Sequence, residues 1–155
     1  MSDKYINIYN NLVNLTRNKE LYKNFNSQDT FSDRLLFFLL HFAFFLKIFK
    51  NNDKNILQDI YDYVFKQLEL SIREIGYGDV TINKKMKDYI NLFHAIINKI
   101  ENWNSINNNE KSNVIASLLN IHNNDDLIVY FDQYSVELKN NTLNFYIKSV
   151  IKQKI

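Results

Sequence analysis

Cysteine and proline are absent from this sequence, and glycine occurs only twice, as Gly76 and Gly78. Without cysteine the chain has no disulfide, no thiolate metal site, no iron–sulfur cluster and no cysteine nucleophile. A strong excess of one charge is also lacking, since 19 lysine and arginine residues face 17 aspartate and glutamate residues. That balance argues against a dedicated nucleic-acid binder, which needs a basic excess. The sequence indicates a reducing interior such as the cytoplasm.

Hydrophobic runs long enough to span a membrane are missing as well. The strongest run, residues 35–46, has twelve residues, and as a helix it would rise about 18 Å, against a hydrocarbon core of about 30 Å. Residues 1–11 are polar and do not resemble a secretory signal. We therefore expect the run to form a buried central helix over about residues 30–50; a membrane- or partner-contacting surface is the alternative.

Elsewhere the apolar residues recur every three or four positions, which is the helical period. The sequence predicts an all-α fold, a single-domain irregular bundle of six or seven helices over residues 1–155. Thr30 and Asp33 predict a cap for the central helix, and Val150 and Ile151 are expected on the inner face of the last one. The predicted helices cover about residues 4–23, 30–50, 54–75, 81–103, 110–121, 125–138 and 142–152.

Both glycines fall in the short segment between the two longest amphipathic helices. Gly76 fits the position that ends a helix in a left-handed conformation, and Gly78 is expected to be a second permissive joint. Thr81 is the predicted N-cap of the next helix, and Ile75 is predicted to be buried. A connection this short predicts that the two helices pack antiparallel.

A search for catalytic chemistry finds no constellation of suitable residues. His41, His94 and His122 lie on three different predicted helices without metal-ligand spacing. His41, within the apolar run, is expected to be a hydrogen-bonded core residue. The segment Gly76-Tyr77-Gly78 lacks the features of a phosphate loop, and no Gly-x-Ser-x-Gly elbow occurs. We therefore expect that the chain is not an enzyme and binds neither a metal nor a cofactor.

Charged residues crowd around the glycine segment: Arg73, Glu74, Asp79, Lys84, Lys85 and Lys87. From composition alone this is an ordinary solvated surface. The run Arg73-Glu74-Ile75-Gly76-Tyr77-Gly78-Asp79, followed by Lys84-Lys85, nevertheless resembles the central motif of the ubiquinol-cytochrome c chaperone family. That motif has Arg-Glu, a hydrophobe and Gly-x-Gly-Asp, and then a helix that opens with a Lys/Arg pair.

The resemblance continues upstream and covers about residues 22–103. Asp29-Thr30, Arg34 and Leu40-His41 stand where the family has Asp-Thr, Arg and Leu-His. Gln28 stands where the family usually has proline, and Phe93-His94-Ala95 stands where it usually has Phe-Tyr-Gly.

The resemblance implies a non-enzymatic assembly chaperone for complex III that binds newly made cytochrome b, as the mitochondrial relatives do. It also implies peripheral contact with the inner membrane. The partner-binding residues that it implies are Arg73, Glu74, Gly76, Tyr77, Gly78, Asp79, Lys84 and Lys85. The structural residues that it implies are Asp29, Thr30, Arg34 and His41.

Two other classes of function stay open at this point. A ribosome- or RNA-contacting factor would use the lysines near the glycines and in the tail, namely Lys84, Lys85, Lys87, Lys148, Lys152 and Lys154. A small helical lipid- or isoprenoid-binding protein would need His41, His94 and Asp79 to converge on an apolar cavity. Heme contact through His41 or His94 has no supporting spacing.

Overall fold

A computed structural model describes residues 3–25 and 31–150 of the chain. Within these ranges there are seven α-helices, two short 3-10 turns at Lys19–Tyr22 and Trp103–Ser105, and no strand, which confirms the all-α prediction. None of the described helices is both long and apolar enough to cross a bilayer. The helices are α1 (Ile6–Thr16), α2 (Phe31–Ile48), α3 (Lys54–Ile75), α4 (Asp79–Ile100), α5 (Asn108–Leu119), α6 (Asp125–Lys139) and α7 (Leu143–Lys148).

Helix α2 forms the centre of the core, as its unbroken apolar sequence predicts. Ten of its 18 residues are buried, including every residue from Phe37 to Phe45. Neighbouring helices pack on several sides of it, since Phe42 stacks on Phe93 of α4 and Phe44 stacks on Phe131 of α6. A helix that is apolar all round is stable in water only when other helices cover it in this way.

Helices α3 and α4 form an antiparallel hairpin, as predicted from the short connection. Near the start of α3, Tyr61 and Phe65 contact Phe93 of α4, with ring centroids 6.0 and 5.2 Å apart. At the other end, Arg73 of α3 reaches Asp79, the first residue of α4. Early residues of α3 therefore meet late residues of α4, and the three-residue connection lies at one end of the hairpin.

A polar cluster joins α5 and α6 beside the single tryptophan. The buried Trp103 donates its indole N–H to Asp132 Oδ1 at 2.8 Å, and the Lys111 ammonium lies 3.0 Å from the same oxygen. The ammonium also lies 5.2 Å from the centroid of the Trp103 ring. One carboxylate thus satisfies a buried N–H group and a nearly buried cation together.

The first helix is shorter than the sequence predicts, because α1 ends at Thr16 and not near Lys23. The Thr16 hydroxyl donates to the Val13 carbonyl at 2.6 Å, and the Asn18 side chain accepts from the Glu20 N–H at 3.1 Å. Short polar side chains that bond the nearby backbone compete with continuation of a helix. The 3-10 turn follows at this point.

Three further helix predictions need correction or fall outside the described residues. Helix α4 ends at Ile100, before Trp103. Val150 is 80% exposed, since α7 ends at Lys148 and the chain continues from Ser149 in an extended conformation. Thr30, Ile151 and residue 152 lie outside the described residues.

Candidate functional site

The turn between α3 and α4 is set by Gly76. Gly76 has φ +104°, in the left-handed region, and its N–H donates to the Arg73 carbonyl at 3.0 Å. This geometry ends α3 as the sequence indicates, because a residue with a side chain is strained at that φ. Gly78 is different, with φ −73° and ψ 162°, a conformation that any residue adopts. The expectation of a second permissive joint at Gly78 is therefore wrong.

Gly78, and not Thr81, is the N-cap of α4. Its carbonyl accepts the Ile82 N–H at 3.0 Å, which is the first hydrogen bond of the helix. Because the extended backbone at Gly78 already allows the helix to begin, α4 starts two residues before the predicted cap. Asp79 then occupies the first turn, where its charge complements the helix dipole.

Two contacts hold the turn together from outside. The Arg73 guanidinium lies 2.5 Å from Asp79 Oδ1 and 3.8 Å from Glu69 Oε1, and the hydrogen bond to Asp79 raises the pKa of Arg73. The Lys85 ammonium lies 4.7 Å from the centroid of the Tyr77 ring, a cation–π distance. The Arg73–Asp79 pair bridges the turn and the Lys85–Tyr77 contact ties α4 to a residue within it, so the two contacts fix the shape of the turn and leave less charge available to a ligand.

Apolar side chains also project into solvent here. Leu70 is 41% exposed, Ile75 54%, Tyr77 42% and Val80 85%. These are four of the nine large hydrophobic side chains that are exposed among the described residues, and they fall within eleven consecutive positions. Contiguous exposed apolar groups with a polar rim mark interaction sites on soluble proteins. We call the corner surface the set Leu70, Arg73, Glu74, Ile75, Tyr77, Asp79, Val80, Lys84 and Lys85.

Sequence reasoning missed the apolar part of this surface. Ile75 was expected on the buried stripe of α3, but it is the last residue of that helix and lies beyond the helices that cover Ile72. The exposure of Val80 could have been predicted from the sequence. It precedes the buried Ile82 by two positions, about 200° around a helix, which places it on the opposite face.

The remaining site residues that the resemblance implies are distributed more widely. Glu74 and Lys84 are exposed next to the turn, and no ion pair involves either of them among the described residues. Arg34 is exposed in the first turn of α2, away from the turn between α3 and α4. Asp29 and Thr30 lie outside the described residues. The structure therefore brings together Arg73, Gly76, Tyr77, Gly78, Asp79 and Lys85.

His41 is fully buried and both of its ring nitrogens are hydrogen-bonded. Nδ1 donates to the Phe37 carbonyl at 2.6 Å, and Nε2 accepts from the Tyr130 hydroxyl at 2.6 Å. The rings of Phe131 and Tyr134 pack against the imidazole. Burial lowers the pKa of His41 to about 4, so the ring is neutral at neutral pH. This geometry fits a structural group and leaves neither nitrogen free for a ligand.

The lipid-site hypothesis required three side chains to converge, and they do not. His41 lies in the core between α2 and α6, whereas His94 is exposed on α4, with Nε2 3.3 Å from the Tyr61 hydroxyl. Asp79 is fifteen residues before His94 on the same helix, which is about 22 Å along the helix axis. Within the described residues these three side chains therefore do not converge on one apolar cavity. No group of three or more potential metal ligands occurs in the described ranges either.

One protein family matches a part of the chain that includes the turn between α3 and α4. The family model described as ubiquinol-cytochrome C chaperone matches residues 23–116, well over half of the chain. The chain belongs to the ubiquinol-cytochrome c chaperone family. The part of the chain that matches contains α2, α3, α4 and most of α5, and therefore the whole corner surface and His41. Neither the curated proteins nor the solved structures give a significant match.

Proposed function

We propose that this chain is a non-enzymatic assembly chaperone for complex III, and that its corner surface binds newly made cytochrome b. The observation that carries the proposal is the cluster of exposed apolar side chains at the turn, inside the residues that match the family. An enzyme would need converging catalytic groups, whereas a chaperone needs an accessible apolar surface for an unfinished client.

The physical chemistry of the corner surface suits an apolar client. Val80 and Ile75 expose apolar area that an incoming segment would remove from water, at roughly 25 cal/mol per Å². The surface keeps its shape in the absence of a client, because the Gly76 cap and the Arg73–Asp79 and Tyr77–Lys85 contacts restrain it. Binding therefore loses little conformational entropy on the chaperone's side.

The charged rim supports a location at the inner membrane surface. Lys84, Lys85 and Lys87 follow the turn on the first half of α4, and Lys84 and Lys87 are exposed. Ammonium groups next to an apolar patch favour anionic headgroups, each contributing about 1 kcal/mol near such a surface. A client that is partly inserted in the membrane would meet the corner surface at this interface. The same lysines leave a ribosome contact open.

The test uses site-specific photocrosslinking in the cells that make this chaperone. A photoreactive phenylalanine analogue replaces Val80, or, as the control, Val129, which is 54% exposed on α6. We expect newly made cytochrome b to crosslink at position 80 and not at position 129. Equal crosslinking at the two positions, or none at position 80, would remove the corner surface from client binding.

A matched pair of double variants tests the apolar contact itself. Ile75→Asp with Val80→Asp should reduce the cytochrome b that a tagged chaperone recovers from gently solubilised membranes, by about tenfold or more for a lost apolar hot spot. The control is Val129→Asp with Val136→Asp, two similarly exposed positions on α6. Arg73→Glu with Lys84→Glu tests whether the charged rim contributes to the recovery of cytochrome b in the same way.

A translation-coupled factor would give a different result. The tagged chain would then recover ribosomes alone, and this binding would fall steeply at moderate salt.

A further inference from the structure

A groove lies at the other end of the α3–α4 hairpin, far from the corner surface. It is bounded by the end of α2, the start of α3 and the end of α4, and has a volume of about 490 Å³. A second hollow of about 250 Å³ adjoins it and shares Leu46, Lys50 and Ile97. Since α3 has 22 residues, the two ends of the hairpin are about 33 Å apart.

The floor of the groove is apolar and half-buried. It is formed by Leu46, Leu57, Tyr61 and Ile97, all of which are half-buried and pack against the core. None of them is among the exposed large hydrophobic side chains of the described residues. Such a shallow apolar floor is suited to the side chains on one face of a helix.

The rim is positively charged. Lys50 and Lys54 line the groove and Lys47 lines the adjoining hollow. Burial, and then the nearby charges of Lys50 and Lys139, lower the pKa of Lys47. Among the described residues, no ion pair joins any of these four ammonium groups to a carboxylate.

The nearby acidic residues leave this positive charge largely in place. Lys47 Nζ donates to the backbone oxygen of Glu101 at 2.7 Å, and the Glu101 side chain only partly offsets the neighbouring lysines. The Asp53 carboxylate caps α3 by accepting from the Asn55 N–H at 2.8 Å. Glu101 also lines the adjoining hollow. The groove therefore combines an apolar floor with a cationic rim that no ion pair among the described residues neutralises and that Glu101 only partly offsets.

We propose that this groove docks an acidic amphipathic α-helix of a partner protein. The apolar face of such a helix would cover the apolar floor, and carboxylates on its flanks would reach the lysine rim. A membrane surface fits less well, because the apolar lining does not protrude. The chain's own residues 151–155, Ile-Lys-Gln-Lys-Ile, carry two further lysines and are the wrong charge for this rim. The proposal does not depend on the client assigned to the corner surface.

The test uses the full chain and a fluorescein-labelled helical peptide of about 18 residues with leucines spaced three and four apart and glutamates on both flanks. A second peptide replaces every glutamate with lysine, and a third replaces every leucine with alanine. Fluorescence anisotropy measures binding to the unmodified chain, to Lys50→Glu with Lys54→Glu, and to the control Lys84→Glu with Lys85→Glu at the corner surface.

We expect the acidic peptide to bind the unmodified chain and the alanine peptide not to bind. Lys50→Glu with Lys54→Glu should weaken the acidic peptide by about tenfold or more and favour the lysine peptide, because both charge pairs are reversed. The corner control should leave binding unchanged. Melting temperatures of both variants show whether each is folded.

Other outcomes overturn the proposal and identify a different occupant. If the acidic peptide binds both double variants equally, or does not bind at all, the groove is not a docking site for an acidic helix. Loss of binding to phosphatidylglycerol vesicles in Lys50→Glu with Lys54→Glu, without peptide binding, would assign the groove to lipid. A dimer of this chain that sedimentation detects and the same substitutions abolish would assign it to a second copy.

Discussion

The imidazole of His41, on α2, accepts a hydrogen bond from the hydroxyl of Tyr130, on α6, at 2.6 Å. The two residues are 89 positions apart in the sequence, and α6 lies beyond the residues that match the family. The most central helix of the matched region thus completes its hydrogen bonding through a helix outside that region. We expect α6 to be needed for the stability of the matched helices.

Acid should destabilise the chain through His41. Its pKa is lowered from 6.5 to about 4 by burial, so the folded state holds the neutral form and the unfolded state takes up the proton first. Stability is full above pH 6.5 and falls as the pH drops toward 4, by about 3 kcal/mol from this group. Urea unfolding at several pH values, followed by the fluorescence of the buried Trp103, measures the slope.

His41→Gln is the control for this pH dependence. Glutamine retains a donor and an acceptor but does not titrate, so the variant should lose less stability between pH 7 and pH 4 than the unmodified chain. Carboxylates that titrate in the same range contribute equally to both proteins and cancel in the difference. Parallel pH profiles would contradict the assignment of the acid sensitivity to His41.

Replacing tyrosine with phenylalanine should have opposite effects on the free energy of unfolding at positions 130 and 134. The Tyr134 hydroxyl is buried and has no hydrogen-bond partner among the described residues, whereas the Tyr130 hydroxyl donates to His41. Tyr134→Phe removes an unsatisfied group and should raise the free energy of unfolding by about 1 kcal/mol. Tyr130→Phe should lower it by about 1–3 kcal/mol, because it leaves the buried Nε2 of His41 without a hydrogen-bond donor. Chemical denaturation of the two variants side by side decides the matter; effects of the same sign would contradict the geometry.

The two glycines should also differ in their tolerance to substitution. A Cβ atom at Gly76 or Gly78 would meet no heavy atom within 4 Å, so any penalty comes from the backbone. Gly76→Ala should cost about 1–2 kcal/mol, since alanine is strained at φ +104°. Gly78→Ser should stabilise the chain by a few tenths of a kcal/mol or more, because serine is a favoured N-cap in that extended conformation. Thermal unfolding of the two variants measures the contrast, and equal destabilisation would show that Gly78 has a role that its dihedral angles do not explain.

Local patterns were sufficient for the number and order of the helices and for the turn at Gly76, but not for every helix end or for contacts between distant residues. The apolar run of α2 and the glycine after Ile75 have direct physical consequences, since burial and a left-handed φ each depend on few residues. The exposure of Ile75 depends on where the neighbouring helices end. The spacing of apolar residues along α3 carries no information about that. The lysine-rimmed groove is the same kind of feature, because it joins the ends of three helices.

The last prediction concerns Asp132, which accepts from Trp103 Nε1 at 2.8 Å and pairs with Lys111 at 3.0 Å. Asp132→Ala leaves a buried N–H group without an acceptor and a nearly buried ammonium without a carboxylate. We expect it to lower the free energy of unfolding by about 2–3 kcal/mol.

Asp132→Asn separates the two contributions, because the amide oxygen can still accept from the indole while the negative charge is lost. It should therefore cost less than Asp132→Ala and keep the Trp103 emission of the unmodified chain. Asp126→Ala is the surface control: it breaks an exposed pair with Lys23, and such pairs contribute little. Equal losses for alanine and asparagine at position 132 would show that charge, and not the hydrogen bond to Trp103, makes this carboxylate important.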